Sequence, residues 1–72
     1  MTMTERMQRL TALRQERAAK WDTARTFLDS KTHNGRMSEA DAAAYETMEK
    51  ELTDLGNDIA RLERANEMET AM

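Results

Sequence analysis

SEADAAAYETMEKELTDLGNDIARLERANEM, residues 38–68, is the stretch whose reading decides the fold. Within it Tyr45, Met48, Leu52, Leu55, Ile59 and Leu62 fall alternately three and four residues apart, which is the heptad seam of a helix that packs against one other helix. The intervening positions, among them Glu46, Glu49, Lys50, Glu51, Asp54, Asp58, Arg61, Glu63 and Arg64, are charged. Only one narrow stripe therefore calls for apolar cover. Ser38 with Asp41 three residues later supplies the start signal of this helix, with Met37 placed to staple against Ala42. Glu39 and Asp41 suit the positive end of the helix dipole. The spacing predicts a helix over about 39–68.

Upstream, Thr4 to Lys31 contains neither Gly nor Pro and is rich in strong helix formers. It reads as a helix over about 4–31, of about 42 Å at 1.5 Å per residue. Its apolar positions, Met3, Met7, Leu10, Leu13, Ala18, Trp21, Ala24, Phe27 and Leu28, form one stripe. Arg14 and Arg17 interrupt its middle, their stems packing and their guanidinium groups reaching outward. Between the helices, Thr32-His33-Asn34-Gly35 offers residues that tolerate a left-handed backbone and end a helix. Asn-Gly also serves two-residue turns between strands, but both flanks have helical periodicity, so that alternative is set aside.

Folded back at a loop over 32–38, residues facing each other have numbers summing to about 69. This pairs Ala24 with Tyr45, Trp21 with Met48, Leu10 with Ile59 and Met7 with Leu62, and sets Arg17 and Arg14 opposite Leu52 and Leu55. Flanking contacts follow between Lys20 and Glu51, Phe27 and Ala44, and Thr11 and Gly56. A mid-helix glycine costs about 1 kcal/mol relative to alanine, so Gly56 marks either a close helix approach or a flexible point. The expected architecture is all-α, one antiparallel two-helix coiled-coil hairpin over residues 1–72. Leu13 and Phe27 are assigned to the flank of the first stripe. Because two helices of this size bury little, self-association or attachment to a larger body is expected.

Charge is unevenly divided. Residues 1–32 carry seven Lys/Arg and four Asp/Glu, a balance of +3, and the remainder carries four and ten, a balance of −6. A basic helix lying on an acidic one accounts for the split. A basic helix for nucleic acid is the weaker explanation, since Arg6, Arg9, Arg17 and Arg25 have no interleaved aromatic platform. There is no Cys, and the single His33 stands outside any ligand spacing, so neither a metal nor a redox cofactor is expected. The longest apolar run, Ala42–Tyr45, is far too short to span a membrane, and the first residues lack a signal-peptide layout, so an intracellular chain is expected. Phosphate loops, nucleophile elbows, zinc-helix motifs and calcium loops are all missing, which leaves no small-molecule substrate or catalysis to expect.

The order of motifs carries a resemblance. Leu10-x-x-Leu13-Arg14-x-Glu16-Arg17 and Ala24-Arg25-x-Phe27-Leu28-Asp29 lead through Gly35-Arg36 to Met37-Ser38-x-x-Asp41. Tyr45-Glu46-x-Met48-Glu49-x-Glu51-Leu52 follows, and Ile59-Ala60-Arg61-Leu62-Glu63-Arg64 closes the pattern. This resembles the N-terminal scaffolding (delta) domain of tailed-phage major capsid proteins of the Hong-Kong-type fold, over nearly the whole chain. Met37-Ser38 stands where that family more often has Leu-Thr. The resemblance implies a non-catalytic role inside the immature capsid, in the host cytoplasm, guiding capsomer and procapsid assembly until a prohead protease removes the segment. Its partners would be other copies of itself and the capsid body. The residues expected to carry helix packing and interaction are Met7, Leu10, Leu13, Trp21, Phe27, Leu28, Tyr45, Met48, Leu52, Leu55, Ile59 and Leu62. From the residues alone, a regulatory or adaptor coiled coil that binds a partner helix is the alternative.

Overall fold

The computed structural model describes residues 1–71, and among them are two helices, α1 (Met3–Lys31) and α2 (Glu39–Ala71), packed antiparallel as a hairpin 53 Å long and 16 Å across. The all-α hairpin is the architecture the two periodic stretches called for. Both helices run slightly further than their periodicity suggested. α1 begins one residue early because Thr2 caps it. The Thr2 hydroxyl accepts from the Glu5 amide at 3.1 Å while the Glu5 carboxylate accepts from the Thr2 amide at 3.3 Å, a complete capping box. Thr2-x-x-Glu5 carries this signature in the sequence itself. α2 continues to Ala71, three residues past Met68, since Asn66 through Ala71 contain no breaker.

α2 starts as its sequence demands, with the Asp41 amide donating to Ser38 Oγ at 3.1 Å and the Ala42 amide to the Ser38 carbonyl at 2.9 Å. α1 ends on Thr32, whose backbone is extended and whose amide still reaches the Leu28 carbonyl at 3.0 Å. The left-handed residues come after the helix has already stopped: Asn34 at φ 54° and Gly35 at φ 76°. His33 and Arg36 then exchange both backbone hydrogen bonds, at 2.8 and 3.0 Å, around those two residues. This is the two-residue Asn-Gly turn that normally joins strands. The strands themselves are absent, as the flanking periodicity required, and the same tight reversal is used to bring two helices side by side.

The core is small. Leu10, Leu13 and Ile59 form its centre, with Leu55 and Leu62 packed against them, and Ala24 and Leu52 complete the set of buried side chains. On α2 the inward residues follow one seam: Leu52 and Ile59 are buried and Tyr45, Met48, Leu55 and Leu62 are half-buried. On α1 the seam differs from expectation. Leu13 is buried and Phe27 half-buried, although both were assigned to the flank, whereas Met7 and Trp21 lie outside, 58% and 46% exposed. α1 is turned by about 50° about its axis, half the angular step between consecutive residues. The inward stripe becomes Arg6, Leu10, Leu13, Arg17, Lys20, Ala24 and Phe27.

Close packing explains the rotation. Ala24 is wholly buried, 0% exposed, so the helices approach closely there and an indole one turn away has no room between them. The turned stripe also gives each of its cations an acceptor on α2.

Candidate interaction surface

Four cations of α1 reach α2. Arg6 donates from Nε to Asn66 Oδ1 at 2.6 Å and pairs with Glu69 at 2.7 Å. Arg17 Nε donates to the backbone carbonyl of Leu52 at 3.1 Å, so its guanidinium turns inward onto α2 and not outward as its sequence position suggested. Lys20 Nζ meets Glu51 Oε2 at 3.0 Å, the flanking contact expected from the register. That hydrogen bond, with the Glu51 charge behind it, raises the Lys20 pKa above its ordinary value. Arg14 is exposed and pairs with Glu63 at 3.5 Å. All of the ion pairs between helices take their cation from α1 and their carboxylate from α2, which is how the charge split between the two halves of the chain is used. The Arg14 and Lys20 pairs lie in solvent and are weak, whereas the Arg6 side chain is largely covered. Their value is in fixing direction and register.

Gly56 faces Arg17, with the space for a Cβ lying 3.5 Å from Arg17 Nε. The gap is an ordinary van der Waals distance to a flexible side chain, so the glycine is not forced by close approach.

The two long sides of the hairpin differ. On one, Met48 lies with Lys20, Thr23 and Glu51, away from Trp21, and further along Leu13 and Leu62 are flanked by Arg9, Asp58 and Arg61. This side also carries the exposed Met1 and an ion pair within α2, Asp58 with Arg61. The other side carries the apolar excess. Trp21 shares a groove with Tyr45 and Leu52 near the loop. Towards the termini Met3, Met7 and Leu10 line an open groove of about 620 Å³ whose far wall is α2 from Glu63 to Ala71. Leu28, at the loop end of α1, is half-buried.

The expected packing residues thus divide in two. Leu10, Leu13, Phe27, Leu28, Tyr45, Met48, Leu52, Leu55, Ile59 and Leu62 turn at least partly inward. Met7 and Trp21 stand on an uncovered apolar face. Sequence reasoning missed Arg6, which forms the densest polar link between the helix ends, because it was read as one of several surface arginines. Its spacing of four from Leu10 was the available signal.

Among the described residues no three His, Cys, Asp or Glu side chains come together in a way that could hold a metal, and no helix is long and apolar enough to cross a membrane. What the arrangement can do is pack: one seam is closed, and one side still exposes large apolar side chains. Comparison with family models, with curated proteins and with solved structures gives no match to this chain.

Proposed function

We propose that this chain is an assembly module, the helical-hairpin scaffolding segment of a tailed-phage major capsid protein, which guides subunits into capsomers and procapsids and is removed on maturation. The observation that carries the proposal is the uncovered apolar face of α1, where Met7 and Trp21 remain exposed although the seam beside them is closed. A large aromatic left in water on an otherwise charged hairpin marks a surface that meets another protein. The family-like order of motifs supplies the capsid context. A hairpin with few buried residues and several weak surface ion pairs also suits a temporary role, because its contacts form in number and separate without great cost.

On this reading the chain works in the host cytoplasm and then within the immature shell. It contacts its own copies and the capsid body, and a prohead protease ends its service. The gene provides the test. Translation past Met72 should yield a β-rich capsid body, and the full product should form closed particles visible by electron microscopy. Leu52→Ala should reduce those particles. A discrete heteromeric partner recovered in place of particles would instead favour the adaptor coiled coil, and a gene without a capsid body would refute the capsid assignment.

A further inference from the structure

We infer that the face carrying Met7, Trp21 and Tyr45 joins two copies of this chain about a twofold axis running along the hairpin, with both loops at the same end. The inference rests on the assembly reading and names the contact through which it acts. Three grooves merge along that face, since Arg14, Arg17 and Trp21 each form part of two of their walls. The charged side chains that α1 gives to those walls, Arg14 and Arg17, are basic, and those from α2, Glu49, Glu63 and Glu67, are acidic. The opposite side lacks this division, since α2 contributes Asp58 and Arg61 there together.

A face with one basic edge and one acidic edge complements itself in one twofold arrangement and opposes itself in the other. An axis along the hairpin lays α1 of each copy on α2 of the other, basic on acidic. An axis across the hairpin lays α1 on α1, with Arg14 and Arg17 against their own copies and like charges facing. The first arrangement is a four-helix bundle in which every adjacent pair is antiparallel and opposite in charge. It sets Trp21 of one copy level with Tyr45 of the other, and gathers Met3 and Met7 of both copies at the end near the termini. The whole 53 by 16 Å outline of the hairpin has a footprint of roughly 850 Å², so an interface of about 800 Å² per partner takes nearly the full face, charged edges included.

Trp21 is the single tryptophan and reports its own burial. Sedimentation equilibrium of the chain from low micromolar to millimolar concentration should show a monomer–dimer equilibrium, with Trp21 emission shifting to the blue in step with dimer. Trp21→Glu should weaken the dimer roughly thirtyfold, as loss of a buried aromatic anchor does, while helicity of the monomer is kept. Thr23→Glu, on the opposite side, should leave the dimer unchanged. Pyrene attached at His33→Cys should give excimer emission, because this axis brings the loops together and the other separates them by the length of the hairpin. A monomer at every concentration, a dimer indifferent to Trp21→Glu, or a dimer without excimer overturns the inference. Particles formed by the full gene product while this chain stays monomeric would sink the contact and leave the assembly reading standing. A dimer through Trp21 in a gene with no capsid body would do the reverse.

Discussion

The two helices of this hairpin are nearly equal in length yet differ in how plainly they declare their inner face. α2 has one apolar stripe and charge elsewhere, so its seam has a single solution. α1 is weakly amphipathic. It carries two overlapping stripes that share Leu10, Arg17 and Ala24, one continuing through Met7, Trp21 and Leu28 and the other through Leu13, Lys20 and Phe27. The second faces α2, and the first supplies the exposed apolar face. A helix with one stripe has one partner surface, whereas a helix with two overlapping stripes can close a hairpin and still present apolar surface to another chain. The apolar excess at Met7 and Trp21 therefore sits on the helix whose pattern is harder to read.

The sharpest way to break this comparison is to delete apolar groups from each stripe. Leu52→Ala and Leu13→Ala should each cost about 2–5 kcal/mol, enough to unfold much of so small a hairpin. Trp21→Ala should cost the monomer far less, because nearly half of that side chain is exposed. Urea titrations followed by circular dichroism at low concentration decide this. Equal losses for Trp21→Ala and Leu13→Ala would mean that α1 presents the other stripe to α2.

A substitution at the most deeply buried point of the seam tests why α1 is turned. Ala24 has no exposed surface, so Ala24→Leu should overfill the contact and cost about 1–3 kcal/mol. A neutral result would show that the helices have room there, and that steric exclusion of Trp21 is the wrong explanation.

The two glycines should respond in opposite senses. Gly35 sits at φ 76°, where a side chain strains the backbone by roughly 1–2 kcal/mol, so Gly35→Ala should lower the melting temperature. Gly56→Ala removes a helix-interior glycine and brings a methyl group to van der Waals distance of Arg17. It should raise stability by up to about 1 kcal/mol. A fall in melting temperature with Gly56→Ala would show that Arg17 cannot shift and that the contact is rigid.

The smallest effect concerns pH. Glu51 raises the Lys20 pKa in the folded chain, so the pair contributes stability that is fully present below the unfolded lysine pKa of about 10.4 and is lost as pH rises through the higher folded value. The urea midpoint should fall slightly more between about pH 9 and about pH 12 for the parent than for Lys20→Gln. Both side chains are substantially exposed, so the difference should be near the limit of measurement. An equal fall in the two chains would leave the pair without a net role.

Legibility follows the same division. The α2 seam, the capped start at Ser38, the reversal near Asn34-Gly35 and the Lys20–Glu51 contact were all readable, because each depends on local pattern or on a register fixed by the loop. The Thr2-Glu5 capping box is equally local, a hydroxyl and a carboxylate three residues apart. The inward turn of Arg17 and the burial of Leu13 were not, since both depend on what α2 offers opposite them: a free face of the Leu52 carbonyl beside a glycine in one case, and space next to Ile59 in the other.

By itself, then, the amino-acid sequence determined that this chain makes two helices, where it reverses, which face of α2 is apolar and that the halves differ in charge. Those are properties of periodicity and of residue chemistry within a few turns. Only the tertiary structure decided which stripe of α1 goes inside and which apolar residues are left in water. That choice compares the shape and polar partners of two surfaces at once, and a single helix read alone contains only one of them.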